Sequence, residues 1–370
     1  MKRIAILTSS RADYGIYLPL LNALKEDAYF DLKIIAFGTH LSPFHGYTLN
    51  QIIKDGFEVP YQIESMLAGD TSNAISTAMA LTAMKFADFW RDHQHDFDLV
   101  FCLGDRYEMF AAVTSGIPFN IRFAHLHGGE KTLGAIDNIF RHAITLASKY
   151  HFVSCEAHAK RVSELIESDK NIFNIGSLSL DNLETLRILS KEDFYARFGI
   201  DLNQPTILVT VHPETISPEE NSAHADELAK TLLGLENYQV LITLPNADTN
   251  GSVFRSRFIQ LPAESNQRIS CFENLGSQGY FTAMKHCAFL LGNTSSGIIE
   301  AASFRKWVIN LGNRQEGRQQ SDNILNIPFK QETILQTISK IEQYSDYPGT
   351  NVYFKENVAN NILSILKEQI

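Results

Sequence analysis

Short apolar runs recur along the chain, each followed by a turn and then by a longer segment with apolar residues three and four apart. In the first half the runs fall at 4–7, 32–37, 99–103, 121–124 and 151–153. They are rich in Val, Ile and Phe without strict alternation, the pattern of strands covered on both faces. The intervening segments 15–24, 73–90 and 108–115 have helical spacing. The pattern relaxes over 171–183 and passes through a charged stretch at 191–198. It then restarts with runs at 206–211, 238–244, 268–272, 287–291 and 308–311. Such β-α-β-α alternation predicts doubly wound parallel sheets, and the interruption predicts two Rossmann-like halves in series. The boundary is expected near 175–205, and no internal repeat or low-complexity tract is read.

Composition narrows the class. With 370 residues, two domains are expected; 44% hydrophobic and 20% charged residues exclude a disordered chain. The net charge of -10 argues against a broad nucleic-acid or anionic-membrane surface, though not against a local phosphate pocket. Cys102, Cys155, Cys271 and Cys287 form no C-x-x-C pair and read as buried thiols of a reducing compartment. Residues 1–8 read as a first strand, not a signal peptide, and no apolar run approaches the roughly 18 residues of a membrane helix. A soluble cytoplasmic protein is expected.

In open α/β sheets, ligands bind beyond the carboxyl ends of the strands, so the residues after each run carry the candidate chemistry. The first run leads to Ser9-Ser10-Arg11-Ala12-Asp13-Tyr14-Gly15, with no G-x-G-x-x-G there or elsewhere, and NAD or FAD binding loses its main support. Ser and Asp suit helix caps, with the helix expected from Gly15, but Arg11 opposes the helix dipole unless an anion binds there. Gly104-Asp105-Arg106 places an acid and a base at a strand tip, where capping and catalysis are both possible roles for Asp105. In His125-Leu126-His127-Gly128-Gly129-Glu130 the H-x-H spacing could mark a metal, since residues two apart share a strand face. The further ligands of such sites are not in view. Asp137 and Arg141 stand i, i+4 on a helix predicted at 136–147, the spacing of an ordinary surface ion pair.

His212-Pro213-Glu214-Thr215 ends a run in the second half; Pro213 holds His212 extended. Gly292-Asn293-Thr294-Ser295-Ser296-Gly297-Ile298-Ile299-Glu300 has P-loop glycine spacing, but isoleucines replace the Lys and Ser/Thr, which excludes a metal-nucleotide ATPase. What remains is a hydroxyl-rich anion turn at a helix N-terminus, with Glu300 suited to a ribose. Asn313-Arg314-Gln315-Glu316-Gly317-Arg318 adds two guanidinium groups.

These motifs occur in one order: Arg11-Ala12-Asp13-Tyr14, Gly104-Asp105-Arg106, His127-Gly128-Gly129-Glu130, Arg141-His142-Ala143-Ile144, His212-Pro213-Glu214-Thr215, Gly292 to Gly297, and Arg314-Gln315-x-Gly317-Arg318. Together, over nearly the whole chain, they resemble the hydrolysing UDP-N-acetylglucosamine 2-epimerases of sialic acid synthesis. The resemblance implies a glycosyltransferase-B arrangement of two Rossmann-like domains, with the active site in the interdomain cleft. Residues 1–175 would supply the acid/base loops, 176–354 the UDP site, and 355–370 a C-terminal helix crossing back to the first domain. It implies a uridine diphosphate site of Arg11, Arg106, His212, Asn246, Thr294, Ser295, Glu300 and Arg314, with Ser296 and Gly297 of the same turn. Its acid/base groups fall on Asp105, Glu130 and Asp137, with His212 near the diphosphate. This chain departs from other members, which have Glu at the position of His127 and paired acids at 136–137; His127 joins the catalytic candidates.

The implied reaction turns UDP-N-acetylglucosamine and water into N-acetylmannosamine and UDP, by elimination to a glycal and hydration. No NAD and no metal are expected. Expected partners are the nucleotide sugar and a second or further copies of the chain, as homodimer or homotetramer, with neither nucleic acid nor membrane. Competing readings are the same reaction on UDP-N,N'-diacetylbacillosamine, a non-hydrolysing epimerase, a glycosyltransferase of the same fold, and a non-catalytic nucleotide-sugar sensor.

Overall fold

A computed structural model describes all residues except 68, 70, 134, 135, 215, 216 and 246–250. Asn246 and Thr215 therefore lie outside the described residues. The chain divides into two compact units. One comprises Met1–Glu130, Asp137–Asn182 and Lys355–Ile370; the other comprises Lys131–Ile136 and Leu183–Phe354. Among the described residues, no helix is long and apolar enough to cross a membrane.

The first unit is built on strands β1 (Lys2–Thr8), β2 (Phe30–Phe37), β3 (Tyr61–Ile63), β4 (Leu99–Leu103), β5 (Phe123–Leu126), β6 (Tyr150–Val153) and β7 (Ile172–Asn174). All pair in parallel, in the order β3-β2-β1-β4-β5-β6-β7. Central β4 is wholly buried, Leu-Val-Phe-Cys-Leu, because helices cover both faces. One face packs Tyr17, Leu20, Leu21 and Leu24 of the helix Arg11–Glu26 with Ile362, Leu363 and Leu366 of the C-terminal helix Val358–Gln369. Buried Asp181 ties that last helix down by accepting from the Val358 and Ala359 N–H groups at 2.9 and 2.6 Å. The other face holds Phe86, Trp90, Met109 and Phe123.

The second unit repeats the plan with β8 (Thr206–Thr210), β9 (Gln239–Thr243), β10 (Ile269–Phe272), β11 (Phe289–Gly292), β12 (Val308–Leu311) and β13 (Ile324–Ile327). The order is β10-β9-β8-β11-β12-β13, again all parallel. In both sheets the strand order reverses beside the first strand, at β1/β4 and at β8/β11, the switch point where open α/β sheets hold ligands.

Three edge strands, β3, β7 and β13, have no counterpart among the apolar runs. They are short and only half-buried, so no continuous apolar stretch announces them. The run at 121–124 is shifted: β5 begins at Phe123 and includes His125 and Leu126. The charged stretch is the helix Lys191–Phe198, capped by Ser190, whose hydroxyl accepts from Asp193 N–H at 3.0 Å.

Candidate functional site

The loop after β1 is shorter than its sequence suggests. The helix starts at Arg11, not Gly15, with Ser10 as its N-cap and Asp13 completing a capping box. Asp13 is buried and accepts from Ser9 N–H (2.8 Å), Ser9 Oγ (2.9 Å), Ser10 N–H (2.9 Å) and Thr8 Oγ1 (2.9 Å). Its carboxylate is consumed in holding the turn, which presents Arg11 exposed at the first helical position.

At the neighbouring tip, Gly104 turns through φ +75° and Asp105 follows with a side chain 25% exposed. Arg106 is the N-cap residue of the helix Tyr107–Gly116 and caps nothing with its side chain. Its guanidinium meets both oxygens of buried Glu108, at 3.0 and 3.1 Å. Asp105 pairs with Arg141, on the helix Asp137–Ala147. Arg141 is no surface residue: it is 2% exposed, and it also donates to the Glu130 carbonyl at 3.1 Å. One buried guanidinium thus links the loop after β4 to the loop after β5. Half-buried Asp137 lies one turn before Arg141 on that helix.

The H-x-H pair does not share a face. His125 ends up wholly buried inside β5, its Nε2 2.9 Å from the Gly104 carbonyl and its Nδ1 3.0 Å from Thr145 Oγ1. Burial pushes it down to about 3, so it is neutral and donates from Nε2 to that carbonyl. His127 lies past the strand end with φ +63°, and its Nδ1 sits 2.7 Å from Glu130 Oε1. Gly129 has φ +76°, and a Cβ there would stand 2.5 Å from the His158 carbonyl, so only glycine fits. Among the described residues, no three His, Cys, Asp or Glu side chains gather as a metal site would require.

In the second unit, three strand tips meet at Asn293. This buried side chain accepts from His212 N–H at 2.7 Å and donates to the His212 carbonyl at 2.9 Å. Its own carbonyl accepts from Arg314 (3.2 Å) and from buried Gln315 (2.7 Å). Gly292, at φ +146°, brings β11 so close to β8 that a Cβ would lie 2.0 Å from the Thr210 carbonyl. Thr294 caps a single turn, Ser295–Ile299, accepting from Ser296 N–H at 3.4 Å. Thr294, Ser295 and Ser296 are half-buried and Gly297 is buried. The helix expected after this turn ends at Ile299, and Glu300 is its buried C-cap residue. Glu214 accepts from Asn313 N–H at 2.6 Å and fixes the start of the Arg314 loop. Behind the turn, Tyr280 contacts Ser296 and Thr210 Oγ1; burial pushes its phenol up to about 12, leaving it neutral.

Asn293, Gln315, Tyr280 and Glu108 were not singled out as functional from sequence. For Asn293 and Gln315 the available signal was their place in the polar loops after buried parallel strands, where an unpaired polar group would be costly; Glu108 and Tyr280, on helices, carried no such signal.

Two doubly wound units with polar loops at their switch points define a two-domain α/β protein of the glycosyltransferase-B class. A family model described as UDP-N-acetylglucosamine 2-epimerase matches residues 22–367. The chain belongs to the UDP-N-acetylglucosamine 2-epimerase family. It is 36% identical over 325 residues to the hydrolysing GDP/UDP-N,N'-diacetylbacillosamine 2-epimerase of Campylobacter jejuni, covering 88% of this chain and 84% of that one. It is 33% identical over 375 residues to polysialic acid biosynthesis protein P7 of Escherichia coli, covering 100% of this chain and 95% of that one. The UDP-GlcNAc 2-epimerase of Neisseria meningitidis, solved bound to UDP-GlcNAc, has the same fold, with a TM-score of 0.83 over the full length of both chains at 17% identity.

Proposed function

We propose that the protein is a hydrolysing 2-epimerase that converts UDP-N-acetylglucosamine and water into N-acetylmannosamine and UDP, for sialic acid synthesis. The observation that carries this reading is buried Arg141, which joins the Asp105 and Glu130 loops on the helix that begins at Asp137. Epimerisation at carbon 2 without NAD needs two proton-transfer groups, one for each face of the sugar, and this unit brings together three acid-bearing segments, those of Asp105, Glu130 and Asp137. A glycosyltransferase of the same fold has no use for so many. In the elimination, the carbon 2 proton leaves to a base as the anomeric C–O bond breaks, and UDP departs with the electron pair. Water then adds at carbon 1, and a proton returns to carbon 2 on the opposite face. Arg11, Arg106, Arg314, His212 and the turn Thr294 to Gly297 stabilise the diphosphate, and Glu300 accepts from the ribose. Asn246 is assigned to the same site by family resemblance. Neither NAD nor a metal enters the reaction.

The test is turnover in D₂O followed by proton NMR. Free UDP and N-acetylmannosamine carrying one deuterium at carbon 2 are expected, with the rate unchanged by EDTA. Product without deuterium would sink the proton-transfer route, and a chelation-sensitive rate restored by a divalent ion would bring a metal back.

The name of the Campylobacter relative favours a second reading, the same reaction on the diacetylbacillosamine nucleotide. The ratio of kcat/KM for the two nucleotide sugars decides between them, with UDP-N-acetylglucosamine expected to be preferred.

For the nucleotide side, Asn293→Ala removes the amide clamp on His212 and leaves two buried backbone groups unpaired. Arg314→Ala removes one guanidinium. Each is expected to weaken UDP binding by roughly tenfold or more, the effect of one lost charge-assisted or buried hydrogen bond. Unchanged affinity in calorimetry would take that residue out of the UDP site.

A further inference from the structure

We propose that Nε2 of His127 is the atom that takes the carbon 2 proton, and that Glu130 acts through it as a positioning residue instead of meeting the sugar. This rests on the epimerase reading above.

Glu130 is 1% exposed and its Oε1 is engaged from two sides. It accepts from His127 Nδ1 at 2.7 Å and from Ser154 Oγ at 3.3 Å, and that hydroxyl stands 3.0 Å from Nδ1 of buried His158. A carboxylate so enclosed is suited to holding a partner. His127 occupies left-handed backbone, φ +63°, which a non-glycine residue adopts only when its surroundings hold it there. That turn brings the imidazole back onto the carboxylate three residues ahead. Because a carboxylate accepts, Nδ1 carries the proton, and the lone pair is on Nε2, which has no hydrogen bond among the described residues. A histidine whose Nδ1–H meets a buried carboxylate is a general base, with the carboxylate orienting the ring and stabilising the imidazolium that forms.

In the step itself, Nε2–H forms as C2–H breaks. The released pair makes the C1=C2 double bond, the C1–O bond to the diphosphate breaks, and UDP leaves with its electrons. The imidazolium later passes its proton to solvent. Other charged and titratable groups surround the pair on every element packed against it. Arg141 bonds the Glu130 carbonyl, Asp105 lies beyond Arg141, and neutral His125 lies in β5. The helix Glu156–Ile166 brings His158 and Arg161, the latter 3.4 Å from the Gly129 carbonyl, with the Cys155 thiol at its N-cap. Among the described residues, none of these bonds the ring, which meets Glu130.

The test compares wild type with Glu130→Gln and Glu130→Asp, using protein labelled with ¹⁵N at the histidine ring nitrogens. Without substrate, the His127 Nδ1–H resonance is expected far downfield in wild type, to move upfield in Glu130→Gln, where the carboxylate acceptor is gone, and to return towards wild type in Glu130→Asp. With substrate, Glu130→Gln is expected to lower kcat by about tenfold to a hundredfold with KM little changed. An unmoved Nδ1–H resonance overturns the pairing. Full activity in His127→Gln combined with none in Glu130→Gln also overturns it, by making Glu130 the base. If wild type turns over neither nucleotide sugar, the epimerase reading fails and the proton-abstraction step fails with it. The substrate-free spectrum still decides the pairing on its own.

Discussion

Asp105→Asn is expected to lower kcat by roughly a hundredfold to ten-thousandfold, the contribution of one well-placed acid or base, while UDP binds as before. Asp105 and Asn have nearly the same shape, so the change removes charge and basicity but little packing. The capping role that its position allows is not what the side chain does: the N-cap residue is Arg106, and Asp105 reaches Arg141 instead. Because Arg141 is buried, losing its partner also costs stability, moderated by the quarter exposure of Asp105 and by the Glu130 carbonyl that Arg141 keeps. Thermal melts beside the kinetics separate the two effects, and Asp105→Glu, which restores the charge, serves as a control. Turnover within about threefold of wild type in a folded Asp105→Asn protein would remove Asp105 from the chemistry and leave it only as the counter-charge of Arg141.

Acidification from pH 7 to pH 5 is expected to destabilise the first unit by about 4 kcal/mol, roughly a 10 °C fall in its melting temperature. His125 and His151 face each other across β5 and β6, at 0% and 1% exposure. Burial pushes them down to about 3 and about 4. Both folded values lie below the ordinary value near 6.5, so the unfolded chain binds protons first as the pH drops. Their contribution is complete above pH 6.5 and drains away below it, at about 1.4 kcal/mol per pH unit for each histidine, until about pH 4 for His151 and about pH 3 for His125. Buried His40 shifts in the same direction, through burial opposed by Asp13, and adds to the loss. His151→Phe keeps a ring and removes one titration, so the slope of stability against pH should fall by about 1.4 kcal/mol per unit. A melting temperature that stays flat from pH 7 to pH 5 would contradict the neutral, desolvated state of these histidines.

The sequence by itself determined the two parallel sheets and the strand tips that carry the candidate residues. A central strand covered on both faces must be a continuous apolar run, so Leu99–Leu103 and Val308–Leu311 were legible to the residue. The residues after them, Asp105 and Arg314, were legible as candidates because polar groups at strand ends have no packing purpose. Edge strands β3, β7 and β13 escaped, because a half-exposed strand leaves no such run. Partnerships were decided only by the tertiary structure. Spacing put Arg141 with Asp137 on a helix surface, but its burial against β4 and β5 delivered it to Asp105 and the Glu130 carbonyl. Two-residue spacing put His125 and His127 on one face, but β5 ends between them and the left-handed turn at His127 gives each a different partner. Asn293 stood in view within its motif, yet its two hydrogen bonds to His212 join positions 81 residues apart. Periodicity records which residues are covered. It holds no information on which of two distant polar groups, once desolvated, will satisfy the other.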